Sequence, residues 1–167
     1  RDIGAKKAGG GYLAFIDDDA YPQSDWLDVA NQVLISRSDV GAIGGPGITP
    51  RNAPFWERVS GAFFLSATSG GFPERYVSCP PRRIVDDWPS VNLIVRKSVY
   101  ELIGGFDSNY WPGEDTLFCL KITKQAKLKI LYIPNLVVWH HRRSGLMKHL
   151  RQVGNYGKHR GHFVKSY

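Results

Sequence analysis

Tyr12-Leu13-Ala14-Phe15-Ile16-Asp17-Asp18-Asp19 is the stretch from which the rest of the chain is read. Five apolar residues follow three glycines, Gly9-Gly10-Gly11, and end on three carboxylates. A short apolar run after turn residues predicts a buried strand ending at Asp17. Alternate side chains of an extended segment share a face, so Asp17 and Asp19 are expected to point together and Asp18 away. Two carboxylates buried together without a cation would meet repulsion and desolvation. The pair therefore suits Mg²⁺ or Mn²⁺, hard cations that keep open positions for phosphate oxygens. A solvated acidic turn before Tyr21-Pro22 is the plain alternative.

Working outward, Ser24 is expected to cap a helix whose Leu27, Ala30, Val33 and Leu34 share one face. Residues 40–43 read as a second strand, broken by Gly44-Gly45-Pro46-Gly47. Residues 50–88 are rich in proline with weak periodicity, as in a long functional excursion. A strand is expected over 92–95, then a helix over 98–103 that stops at Gly104-Gly105. Another helix begins near Glu114. The alternation of Lys127-Leu128-Lys129-Ile130 predicts a strand with one wet face. Val137-Val138-Trp139 predicts another strand, and Ser144 opens a basic helix. Strands alternating with helices indicate an α/β architecture. Arg1-Asp2-Ile3-Gly4-Ala5 reads as a helix feeding the first strand, an unusual opening for an α/β sheet, so a preceding portion is expected.

Composition narrows the class. With 167 residues, 43% of them hydrophobic and 22% charged, the chain suits one folded domain, not a disordered tail, collagen or a coiled coil. No apolar run approaches the roughly 18 residues of a membrane span, and no signal peptide opens the chain. Cys79 and Cys119 form neither a disulfide framework nor a zinc pattern, which points to a reducing, cytoplasmic compartment. All 15 acidic residues lie at or before Asp115, while 11 of the 22 Lys and Arg lie beyond it. An acidic half can hold a metal; a basic half can face phosphate or anionic lipid.

Two further groups carry chemistry. Trp111-Pro112-Gly113-Glu114-Asp115 sets a carboxylate pair at a loop-to-helix junction. It is either a charge favouring the helix dipole or a general base beside an aromatic platform. His140 and His141 end a strand and point to opposite faces, so at most one serves a common site. Neither glycine cluster has the order of a dinucleotide fingerprint or a P-loop, and both read as turns.

Taken in order, these segments resemble the family 2 glycosyltransferases of GT-A fold. The resemblance rests on Arg1-Asp2-Ile3-Gly4, Ala8-Gly9-Gly10 and Phe15-Ile16-Asp17-Asp18-Asp19-Ala20 with Trp26-Leu27. It continues through Asn92-Leu93-Ile94-Val95-Arg96-Lys97, Ile103-Gly104-Gly105-Phe106-Asp107, Gly113-Glu114-Asp115 and Val138-Trp139-His140, and closes on Arg151-Gln152 with Asn155-Tyr156-Gly157. It implies a GT-A-like, mixed and mostly parallel sheet flanked by helices, an incomplete Rossmann-like domain without the βαβ portion that holds the nucleobase. Residues 1–45 would carry the D-x-D strand and following helix, 46–140 the acceptor and donor-sugar part, and 141–167 a basic helix.

The implied reaction is single-displacement, inverting transfer from a nucleotide-diphosphate sugar to the hydroxyl of a saccharide or lipid-linked acceptor, as in building cell-envelope polysaccharide. Asp17 and Asp19 match the D-x-D motif, with Asp19, Asp17 and His140 as ligands of Mn²⁺ or Mg²⁺. Asp17, Asp18, Asp19, Arg1 and Asn92 would bind the donor. Asp115 matches the base that deprotonates the acceptor, with Glu114 beside it; Trp111, Asp86 and Trp88 would meet the acceptor. Asn155-Tyr156-Gly157 stands where processive synthases carry Q-x-x-R-W, which implies non-processive transfer. Leu146, Leu150 and Val153 can share a helical face ringed by Lys148, His149, Arg151 and Lys158. That helix is either solvated or a peripheral contact with the inner face of a membrane. The rivals are a metal-dependent nucleotidyl or phosphoryl transferase, an inactive remnant, and a basic nucleic-acid binder. No recognition motif supports the last, so no nucleic-acid partner is expected.

Overall fold

The computed structural model describes residues 1–66, 72–107, 113–142 and, beyond these, 151, 154, 155, 157, 158 and 161. Helix α1 (Asp2–Lys7) leads through the glycine turn into β1 (Tyr12–Ile16). Only Leu13 and Phe15 of β1 are buried, so the strand is half-buried, not fully enclosed as expected. The chain then turns at once: the Ala20 N–H donates to the Asp17 carbonyl (3.1 Å) and opens β2 (Ala20–Pro22).

Helix α2 (Trp26–Ser36) begins at Asp25 with no side-chain cap bond, so Ser24 does not cap it. Trp26, Ala30, Val33 and Leu34 form its buried face, whereas Leu27 is 70% exposed. Turning the helix by one position lets the larger indole enter the core, where its Nε1 donates to Asn92 Oδ1 (3.0 Å).

Strands β3 (Val40–Gly44) and β4 (Gly47–Ile48) follow. The excursion then holds α3 (Phe55–Phe64), a 3₁₀ turn (Pro73–Arg75) and β5 (Arg83–Val85). α3 escaped sequence reading because much of its apolar surface faces outward, which blurs the periodicity. Next come β6 (Asn92–Arg96), α4 (Lys97–Leu102) and α5 (Glu114–Leu120). α4 ends where Gly104 and Gly105 adopt φ of 75° and 71°, a conformation glycine takes at no steric cost. α5 runs on as a π-helical stretch (Lys121–Gln125) before β7 (Lys129–Tyr132) and β8 (Val138–His140).

The main sheet has the order β1-β6-β3-β7-β5, and a smaller one the order β2-β8-β4. The sheet is mixed, as expected. Its share of parallel neighbours is smaller than expected: β3 and β7 pair in parallel, whereas β1–β6, β3–β6 and β5–β7 pair antiparallel. β1, β3 and β7 do run the same way, but β6 inserts between β1 and β3.

Both faces of the central strands are covered. Leu93, Val95, Ile130 and Tyr132 pack with α1, α4 and α5; Ile94 and Leu131 pack with α2. β7 therefore has no wet face beyond Lys129, contrary to the alternating reading, because helices close both sides of the sheet. Gly44 belongs to β3, not to a turn, since a Cβ there would collide with the Trp88 indole lying on the strand.

Candidate active site

Asp17 and Asp19 do come together, by a different device from the one expected. β1 ends at Ile16, and the Asp17–Ala20 turn, rather than strand alternation, folds the second carboxylate back toward the first. Asp18 sits in that turn, exposed and outside the cluster. β8 supplies the third member. Its antiparallel pairing with β2 sets His140 opposite Ala20, next to Asp19. His140 Nε2 lies 3.0 Å from Asp19 Oδ1. One ligand atom from each of Asp17, Asp19 and His140 falls within 4.8 Å of the others.

Burial keeps the imidazole neutral. It pushes His140 down to about 4, helped by the Arg142 charge and opposed by Asp19. A neutral ring is the form that binds metals. Among the described residues its Nδ1 is buried without a hydrogen-bond partner, unusual for a histidine with a purely structural role. Asp17 is raised, first by burial and then by Asp19 and Asp18, with Arg1 pulling against them. Two carboxylate oxygens and one neutral imidazole fit a divalent cation, and the imidazole favours Mn²⁺ over Mg²⁺.

A second carboxylate group stands across Arg1. The guanidinium donates from Nη1 to Glu114 Oε1 (2.7 Å) and to Asp115 Oδ1 (3.2 Å), and its Nη2 lies 3.7 Å from Asp17 Oδ1. Its plane rests 5.4 Å from the centre of the Phe106 ring, next to the Gly104-Gly105 turn. Arg1 thus bridges the start of α5 to the end of β1. Asp115 also accepts a bond from the Ser90 N–H (3.2 Å). Burial raises its carboxyl to about 6, against the pull of Arg1 and Ser90. A partly buried acid poised there can take up a proton near neutral pH. Ser90 and Phe106 were not legible as site residues: one acts through its backbone, the other through a ring face.

Two expected contacts are structural instead. Asn92 is fully buried: its Oδ1 accepts from Trp26, and its Nδ2 donates to the Leu136 carbonyl (2.6 Å) and the Pro46 carbonyl (3.5 Å). Both ends of its amide are bonded inside the core. Trp88 is 1% exposed, with Nε1 donating to the Gly45 carbonyl (3.1 Å), so its ring meets the sheet and not an acceptor. Asp86 is exposed beside β5. Asp87 accepts from Arg75 (2.9 Å) and Thr116 Oγ1 (3.4 Å), tying the 3₁₀ turn to α5. Trp111 and residues 143–150, where the basic helix is expected to begin, lie outside the described residues; of the remainder, 151, 154, 155, 157, 158 and 161 are described, and they are helical and exposed. Both cysteines are free, and no helix among the described residues is long and apolar enough to cross a membrane.

The chain as a whole is similar to several known proteins. The chain is 24% identical over 148 residues to the glucosyl-dolichyl phosphate glucuronosyltransferase of Haloferax volcanii, covering 79% of this chain and 43% of that protein. It is 24% identical over 153 residues to the pre-mycofactocin glycosyltransferase of Mycobacterium tuberculosis, covering 87% of this chain and 30% of that one. The chain therefore spans less than half the length of these relatives. Among solved structures, GalNAc-T7 with UDP, GalNAc and Mn²⁺ superposes with a TM-score of 0.59 at 17% identity, over 92% of this chain and 33% of that one. A197 from STIV gives 0.51 at 16% identity, over 85% and 63%. These likenesses establish the GT-A fold. The sequence profile described as glycosyl transferase family group 2 matches residues 12–156, from β1 past the His140 strand, and the chain belongs to that family.

Proposed function

We propose that this chain carries the reaction centre of an inverting glycosyltransferase that moves a sugar from a nucleotide-diphosphate donor to an acceptor hydroxyl. The observation that carries the reading is the convergence of Asp17, Asp19 and His140 within 4.8 Å, linked through Arg1 to Asp115. Asp19, Asp17 and His140 would hold Mn²⁺ or Mg²⁺, which when bound supplies positive charge to the diphosphate leaving group.

The remaining chemistry belongs to the chain's own groups. Above pH about 6 the Asp115 carboxylate is ionised and accepts the proton of the acceptor hydroxyl. The freed oxygen pair forms the new bond to the anomeric carbon from the face opposite the diphosphate. The old carbon–oxygen bond breaks, and its electron pair leaves with the nucleoside diphosphate, which inverts the centre. Arg1 holds Asp115 and Glu114 in place and keeps their negative charge balanced while Asp115 waits for its proton. Asp18 and Asp86, both exposed, remain free to meet substrate.

The relatives support a donor and acceptor of this kind. One neighbour was solved with UDP, GalNAc and Mn²⁺, and one relative is named for a dolichyl-phosphate-linked sugar, which favours a lipid-linked acceptor. We place the donor-holding part in 1–45, the sugar and acceptor part in 46–140, and the reaction on the cytoplasmic side.

A thermal-shift panel of nucleotide-diphosphate sugars tests the reading, with and without Mn²⁺, on this chain and on Asp19→Ala. Stabilisation that needs both Mn²⁺ and one donor, and vanishes in the variant, is the expected result. Stabilisation by nucleoside triphosphates alone would overturn it in favour of nucleotidyl transfer.

A further inference from the structure

α3 (Phe55–Phe64) is led by Pro54, and its backbone is anchored from below. Ser60, Gly61 and Phe64 are buried, and a Cβ on Gly61 would collide with Thr49. The opposite side is apolar and open: Phe55, Trp56 and Val59 are 61%, 57% and 42% exposed. At 3.6 residues per turn these three and Phe63 fall on one stripe. Phe55 and Trp56 meet edge-on with ring centres 5.3 Å apart, a paired aromatic knob facing solvent.

Within residues 50–66 the exposed charges have one sign. The only acid between residues 50 and 66 is Glu57, and its side chain turns inward to the His141 ring (2.8 Å). Arg51 and Arg58 are exposed, and neither makes an ion pair among the described residues. An exposed Trp and Phe flanked by arginines, with the single acid withdrawn, is complementary to a lipid–water interface bearing negative headgroups. A second copy packed on the same stripe would bring these arginines toward one another, at an electrostatic cost.

We propose that α3 docks on an anionic bilayer surface, Phe55, Trp56 and Val59 entering the headgroup boundary with Arg51 and Arg58 on lipid phosphates. The Glu57–His141 contact joins it to the residue after His140, so docking sets the Asp17, Asp19 and His140 corner near the membrane. That a lipid-linked acceptor would be met there rests on the transferase reading; the docking itself does not.

Flotation with vesicles tests it, using the whole chain without donor or metal. The vesicles are phosphatidylcholine alone, or phosphatidylcholine with one-quarter phosphatidylglycerol. The chain is expected to float with the anionic vesicles. The bound fraction should fall about tenfold or more in Phe55→Ser/Trp56→Ser/Val59→Ser, and severalfold in Arg51→Gln/Arg58→Gln. The substituted positions are solvent-facing, and melting curves verify folding; should the triple variant not fold, Trp56→Ser alone carries the comparison. No flotation by the parent chain, or equal flotation by parent and folded variants, overturns the proposal. So does a concentration-dependent dimer dispersed by the triple substitution without any vesicle binding, which would make a second copy the occupant. Vesicle binding and the donor-dependent thermal shift are read separately, so failure of one is distinguishable from failure of the other.

Discussion

Arg1 and Asp115, 114 positions apart in sequence, are joined by an ion pair of 3.2 Å, and the same guanidinium reaches Asp17 at 3.7 Å. One cation therefore connects the acid proposed as base to the carboxylate pair proposed as metal ligands. Asp17 and Asp115 are each raised by burial, and Arg1 opposes that rise in both. Without a shared cation, carboxylates this close at the sheet edge would repel and neutralise.

If Asp115 is the base, Asp115→Asn leaves the donor-dependent thermal shift intact. Transfer should drop by about 10²–10⁴-fold, the range over which general-base groups act. In the parent, the rate should climb as pH rises through about 6 and then level, since the ionised form is the active one. A single-turnover assay with labelled donor reads both. Loss of donor binding in the variant would instead place Asp115 in the donor site.

Asp115 also has a stability signature. Its folded-state value, about 6, lies above the ordinary 3.8, so the native state binds the proton more tightly than the unfolded chain. The sign follows: stability falls as pH rises from 3.8 to about 6, and the full penalty stays above that. Asp115→Asn should stabilise the fold by about 1–3 kcal/mol at pH 8, with the difference closing toward pH 4. Paired melting curves at the two pH values check this.

Asp19→Ala and His140→Ala should each weaken Mn²⁺ binding by about tenfold or more, because each removes a ligand from a set of three. Titration followed by Mn²⁺ electron paramagnetic resonance, without any sugar nucleotide, measures it. Asp18→Ala, outside the cluster, should bind Mn²⁺ as the parent does. Equal loss in all three would mean that general negative charge, not a ligand set, attracts the ion.

Asn92→Ala and Trp88→Ala should behave as core variants. Each empties a fully buried position, and the losses expected are about 2–3 kcal/mol for the amide and about 3–5 kcal/mol for the indole. Urea unfolding measures the stability, and the fraction that stays folded should still respond to donor and Mn²⁺. A folded variant deaf to donor would return Asn92 to the donor site.

Much of this was legible in the residues. Apolar runs marked β1, β3 and β6, with glycines before the first and after the second, and two φ-positive glycines ended α4 as their spacing indicated. Other features were hidden for definite reasons. Trp26 and Leu27 are both apolar neighbours, and only the buried bond to Asn92 decides which enters the core. The direction of β6 relative to β1 leaves no mark on its own sequence, since an apolar central strand reads the same in either sense. Asn92 and Trp88 look like ligands of a sugar because polar and aromatic residues bind sugars; the same groups bond equally well to backbone carbonyls when buried.

The alternation of strands and helices, the acidic strand end and the separation of acidic from basic halves can be read from the residues alone. These follow from local hydrophobic period, turn chemistry and charge order, all written along the chain. Which groups meet is set by the fold in three dimensions. The turn after Ile16 folds Asp19 back to Asp17, the β2–β8 register sets His140 beside them, and Arg1 reaches across the sheet to Asp115. Those contacts depend on strand register and helix placement, which burial of both sheet faces selects and no short stretch of sequence contains.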